Sequence, residues 1–103
     1  MILDIIMKGM KNLMYEFNNI KYELIKDDNN IFDYETMKEL VTDYFIDYDY
    51  IFVDMAYNKF RLKGFCDKNN KKFNKINNFI LLDDYIKNYC APKCKWFYLR
   101  KMK

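Results

Sequence analysis

The sequence predicts one α+β domain of two layers, in which helices pack on one face of a mainly antiparallel sheet. Three observations support this fold class. A chain of 103 residues fits one domain of common size. A hydrophobic content of 51% is enough for a packed core. Short strand-type segments are separated by two segments of helical period, the pattern of helices set against a sheet.

The N-terminal residues carry apolar side chains at helical spacing. These side chains are Ile2, Leu3, Ile6, Met10, Leu13 and Met14. We therefore expect residues 1–13 to form an amphipathic extension and residues 14–103 to form the domain itself.

A hairpin and a helix are predicted next. Residues 15–17 and 20–25 form the strands of the hairpin, because the pair Asn18–Asn19 tolerates the positive φ of a tight turn. Asp33 then caps a helix by accepting orphan amide protons. The apolar face of that helix continues to residue 48 and comprises Met37, Leu40, Val41, Tyr44, Phe45 and Tyr48.

The second half of the domain is predicted to contain three strands and one helix. Residues 50–56 form a nearly all-apolar inner strand, and residues 59–65 alternate strongly. The Lys- and Asn-rich residues 67–78 form a loop, which we expect to be the most mobile segment. Helical spacing follows from Leu82 until Pro92 stops the helix, and residues 95–101 form the last strand.

The pairing of the two central strands follows from the loop between them. If Tyr57–Asn58 is a two-residue turn, Asp54 lies opposite Arg61 as a structural pair. Charged and apolar side chains then separate cleanly onto opposite faces, and a slip of one residue would mix them. One face is therefore expected to belong to the core and the other to be accessible.

The accessible face is predicted to combine cations with aromatic rings. Its candidate binding residues are Lys59, Arg61, Lys63, Trp96, Tyr98 and Arg100. Rings that stack on bases and cations that follow phosphates are typical of proteins that bind single-stranded nucleic acid. The first functional hypothesis is therefore a non-catalytic protein that binds RNA or a ribonucleoprotein surface.

The charge distribution leaves a second hypothesis open. Residues 1–57 contain 5 basic and 12 acidic side chains, and residues 58–103 contain 13 and 3. The basic half would attract a polyanion, whereas the acidic helix would favour a basic partner. A protein-interaction adaptor that uses the acidic helix or the N-terminal apolar stripe is thus the alternative to RNA binding.

Composition restricts the possible chemistry. The chain has no His, no Ser and only two Gly, which excludes a Ser-His-Asp triad, imidazole ligands and Gly-rich phosphate loops. We predict no catalytic residue, no metal and no cofactor. A thiol or metal site at Cys90 and Cys94 is a weaker alternative. Because no signal peptide or membrane span is apparent, we expect a cytoplasmic protein without a membrane partner.

Two motifs resemble the YutD-like family of small bacterial proteins. The first runs over residues 54–65 and comprises Asp54, Tyr57, Arg61, Leu62, Lys63, Gly64 and Phe65. The second comprises Tyr89, Cys90, Cys94, Phe97, Arg100 and Lys101. The chain departs from the family pattern at Val53, Met55, Ala56 and Lys93. The resemblance implies a cytoplasmic α+β domain and no particular activity.

Overall fold

The computed structural model describes residues 13–27, 30–89 and 95–102. Within these ranges five strands form one antiparallel sheet, in which the last strand of the chain lies between the second and the third, and two α-helices accompany the sheet. The α+β class is therefore confirmed. Apart from Leu13, the predicted N-terminal extension lies outside the described residues. The elements in chain order are β1 (Met14–Phe17), β2 (Ile20–Ile25), α1 (Tyr34–Leu40), β3 (Tyr50–Ala56), β4 (Lys59–Phe65), α2 (Leu82–Tyr89) and β5 (Trp96–Lys101).

The two helices pack on opposite faces of the sheet, which corrects the expected two-layer arrangement. Met37 of α1 belongs to a core with Val53 of β3, whereas Leu82 of α2 belongs to a second core with Phe52 and Phe65. Successive side chains of a strand point to opposite faces. Because Phe52 and Val53 are both fully apolar and both buried, each face of β3 needs its own cover.

Helix α1 is shorter than its apolar periodicity predicts. Asp33 caps it as expected, with its carboxylate accepting the Thr36 amide proton at 3.4 Å. The helix ends at Leu40, and the chain continues into a short 3₁₀ turn at Asp43–Phe45. The β-branched pair Val41–Thr42 disfavours continuation, and the Asn18 side chain donates to the Val41 carbonyl at 2.8 Å, occupying an acceptor of the next helical turn.

Helix α2 begins directly after a 3₁₀ turn at Phe79–Leu81, in which the Asn78 side chain accepts the Ile80 amide proton at 3.1 Å. Asp83 and Asp84 lie in the first turn of α2, where carboxylates complement the partial positive charge of a helix start. Neither helix within the described residues has the length and apolar character that crossing a bilayer requires.

Candidate functional site

The β3–β4 hairpin has the register that its two-residue turn predicts, and Asp54 lies opposite Arg61. The Arg61 guanidinium donates from Nε at 2.9 Å and from Nη2 at 2.6 Å to the two carboxylate oxygens of Asp54. The Asp54 side chain is only 2% exposed, against 51% for Arg61. Hydrogen bonding to this carboxylate raises the pKa of Arg61. The bidentate pair fixes the hairpin and occupies two donors of the guanidinium.

The face expected to be accessible lies beneath α2. Phe52 and Phe65 are buried there, and Trp96 and Tyr98 are half-buried against them. The Trp96 ring packs 5.8 Å from Phe52 and stacks on Tyr98 with centroids 6.5 Å apart. Leu82, Tyr85 and Ile86 on the apolar side of α2 pack against this cluster. The rings of Phe52 and Phe65 are therefore closed to solvent, whereas Trp96 and Tyr98 pack against this core and also line a groove of 380 Å³ beside α2.

Arg100 lies apart from the β4 cations. It belongs to β5, pairs with Glu23 of β2 across the strands, and forms an ion pair with that carboxylate. Strand β3 separates β5 from β4. The six predicted binding residues are thus divided between two regions, and the guanidinium of each arginine is held by a carboxylate.

The two predicted lysines of β4 remain accessible to solvent. Lys59 is exposed, and Lys63 is partly exposed. The Lys63 ammonium lies 5.4 Å from the ring centre of Phe65 and 5.7 Å from that of Tyr85 in α2. These contacts hold the lysine at the boundary between β4 and α2.

Two grooves flank β4, and no pattern in the sequence indicates them. One groove has a volume of 540 Å³ and lies between β4 and α2, with Leu81 and Tyr85 in its wall. The other has a volume of 300 Å³ and lies beside Tyr44. Ile76 lines both grooves, and its side chain is 74% exposed. We call Lys63, Lys75, Ile76 and Leu81 the β4-edge site.

The loop that carries Ile76 is linked to the rest of the domain by hydrogen bonds, and its mobility stays a prediction. The buried Asp49 carboxylate accepts the Asp67 amide proton at 2.8 Å and the Asn70 side-chain amide at 3.0 Å. The buried Asn77 side chain donates to the Lys72 carbonyl at 2.8 Å. A lone isoleucine within this Lys- and Asn-rich segment was the available sequence signal.

Cys66 is a buried thiol, and burial raises its pKa. Cys90 and Cys94 lie outside the described residues, so a thiol or metal site at these positions stays a prediction. In the described part of the chain, no cluster of three or more Cys, Asp or Glu residues could hold a metal ion.

Comparison with known proteins places this geometry in a family. The family described as "Putative antitoxin YutD-like" matches residues 16–100. "Putative antitoxin YutD" of Bacillus subtilis (strain 168) is 34% identical over 90 residues, which are 87% of this chain and 99% of the relative. The solution NMR structure of protein yutD from B. subtilis superposes with a TM-score of 0.71, at 34% identity, over 88% of this chain and 83% of the other. The chain belongs to the YutD-like family.

Proposed function

We propose that this chain is a non-catalytic binding protein whose partner is another protein, and that the partner docks on the β4-edge site. The observation that carries the proposal is the position of Ile76. Its side chain is 74% exposed and borders the grooves on both sides of β4. An exposed aliphatic side chain between grooves suits burial against a protein surface.

The charge around the β4-edge site indicates the chemistry of the partner. Lys63 and Lys75 line the larger groove together with Asp84, so cations exceed anions there. Lys59 extends this basic surface along β4. A partner with an apolar contact patch and an acidic rim is complementary to this arrangement.

The described relative supports a protein partner. The Bacillus subtilis relative is described as a "Putative antitoxin", a description that suits a protein acting on another protein. The proposal for this chain is accordingly that it binds and restrains one cellular protein.

RNA binding through Lys59, Arg61, Lys63, Trp96, Tyr98 and Arg100 stays a prediction with less structural support. Base stacking needs open ring faces, whereas the Trp96 and Tyr98 rings are half-buried against Phe52. Phosphate recognition favours free guanidinium donors, whereas Arg61 and Arg100 each hold a carboxylate.

A matched pair of variants tests the proposed function. Ile76→Asp places a charge in the β4-edge site, and Ile80→Asp makes the same change at a residue that is 73% exposed but lines a different groove. Each tagged protein is purified from its own cells after nuclease treatment, and thermal unfolding verifies that both variants fold. We expect the parent and Ile80→Asp to retain the same protein in equal amounts, and Ile76→Asp to retain at least tenfold less.

Two results would overturn the proposed function. One is equal retention of the protein by Ile76→Asp and Ile80→Asp. The other is retention of RNA instead of a protein, with binding that weakens steeply as salt rises because phosphate contacts release counterions.

A further inference from the structure

Tyr57 occupies an unusual position at the tip of the β3–β4 hairpin. Tyr57 and Asn58 have φ values of 53° and 63°, so both turn residues are left-handed. Two-residue turns of this kind favour Asn, Asp and Gly, since a bulky side chain is strained at positive φ. The other hairpin has the same geometry with Asn18 and Asn19, at 54° and 66°.

The fold gains little packing from this tyrosine. Its side chain is 95% exposed, the largest value among the exposed large hydrophobic side chains of the described residues. A strained backbone position therefore carries an aromatic ring that is almost fully exposed to solvent. Strain without burial at a surface tip is the pattern expected of a residue kept for contact with another molecule.

We propose that Tyr57 is an anchor residue that inserts into an apolar pocket of the protein partner. The inference rests on the proposed function and adds a second contact to the β4-edge site. Tyrosine is enriched among the residues that dominate binding energy, because a rigid ring buries a large area at small entropic cost. The paired strands β3 and β4 hold the tip in place before binding, which lowers the entropy lost on association.

The surroundings of Tyr57 define the pocket that would accept it. Lys59 follows the turn and is exposed, whereas the charge of Arg61 is balanced by Asp54. An apolar pocket with a carboxylate at its rim is complementary to this tip. From Tyr57 to Lys63 of the β4-edge site the chain spans at most about 20 Å, at about 3.3 Å per residue, so one interface of ordinary size reaches both the tip and the β4-edge site.

Photocrosslinking tests the contact directly. The photoreactive residue p-benzoylphenylalanine replaces Tyr57 in one protein and Asn19, at the tip of the other hairpin, in a second. After irradiation in the protein's own cells and nuclease treatment, we expect a single protein adduct from position 57 and none from position 19. Adducts of equal yield from both positions, or none from position 57, would overturn the proposal.

Two variants, compared with the parent, then separate an anchor residue from an incidental contact. The crosslinked protein is purified and its affinity is measured for the parent, Tyr57→Phe and Tyr57→Asn. We expect Tyr57→Asn to raise the melting temperature by about 4 °C, because the turn strain is relieved, and to weaken binding at least tenfold. Tyr57→Phe should keep the affinity within threefold.

The outcomes also distinguish this inference from the proposed function. If Ile76→Asp weakens binding but Tyr57→Asn leaves the affinity unchanged, the anchor is refuted and the protein-binding function stands. If neither change affects binding, both proposals are refuted.

Discussion

The two hairpins of this protein share their turn geometry and differ in what the turn presents. In the β1–β2 hairpin, the Asn18 side chain bonds the Val41 carbonyl of the chain segment after α1. In the β3–β4 hairpin, Tyr57 is 95% exposed. The first turn therefore joins the hairpin to the body of the domain, and the second presents a ring to solvent. The difference shows that equal backbone geometry can serve either stability or recognition.

The strands of the two hairpins also differ in the cores to which they contribute. Phe17 and Tyr22 of the β1–β2 hairpin belong to the core on the α1 side. The β3–β4 hairpin contributes to both cores, with Val53 on the α1 side and Phe52 on the α2 side. Substitutions in the second hairpin should therefore have the larger effect on folding.

The largest expected effect is at Arg61. Arg61→Met removes a guanidinium that pairs with the buried Asp54 carboxylate. We expect the free energy of unfolding to fall by about 3 kcal/mol. Lys21→Met, at an exposed lysine opposite Glu16 in the β1–β2 hairpin, should change stability by less than about 0.5 kcal/mol. Urea unfolding at pH 7 measures both. Equal losses of stability in Arg61→Met and Lys21→Met would contradict the expectation that substitutions in the β3–β4 hairpin have the larger effect.

The next effect is at Gly64 of β4. A methyl group on this residue would lie 2.4 Å from Cγ of Tyr48, so Gly64→Ala forces the ring to move and should cost about 2 kcal/mol. The φ of Gly64 is not positive, and the cost is therefore steric. The double variant Gly64→Ala/Tyr48→Leu should recover most of the loss in a urea unfolding cycle. A loss that persists in the double variant would show that the ring is not the cause.

Exchanging the turn residues of the two hairpins tests whether Asn18 stabilises its turn and Tyr57 strains its own. Asn18→Tyr loses the 2.8 Å hydrogen bond to Val41 and places a bulky side chain at a φ of 54°, for a cost of about 1.5 kcal/mol. Tyr57→Asn should instead stabilise the protein by about 0.7 kcal/mol. Thermal and urea unfolding of both variants give the two signs. Two effects of the same sign would show that the turns are not equivalent in geometry.

The last prediction concerns stability at alkaline pH. Burial raises the pKa of Tyr22 from 10.0 to about 12. The folded state thus holds this proton more tightly than the unfolded state, so its contribution is complete below pH 10 and is lost between pH 10 and 12. At pH 11 the loss is about 1 kcal/mol. Tyr22→Phe should reduce the fall in stability between pH 9 and 11, measured by urea unfolding. If stability falls by the same amount in Tyr22→Phe, other tyrosines cause the fall.

Sequence patterns predicted those parts of the fold that depend on local chemistry. The β3–β4 register followed from strict alternation around a two-residue turn, and it placed Asp54 opposite Arg61 correctly. The face covered by α2 could not be predicted in this way. An amphipathic helix has one apolar side, but its periodicity does not specify which sheet face that side will cover. For the same reason, the burial of Trp96 and Tyr98 did not follow from their alternation along β5.

The β4-edge site was harder to predict because it joins distant segments. Hydrogen bonds of Asp49 and Asn77 help to hold the loop of Ile76 at the sheet edge. Such long-range contacts leave no period in the sequence. A solitary exposed isoleucine is also common on protein surfaces and has no meaning until its neighbours are known.

The position of β5 in the sheet has a consequence for biosynthesis. This strand pairs with β2 on one side and with β3 on the other, although it follows both in the chain. The two hairpins are thus not joined by strand pairing until β5 has been translated. This strand then links them and adds side chains to the cores on both faces of the sheet. Nascent chains lacking β5 should therefore expose unpaired edges of β2 and β3 to chaperones.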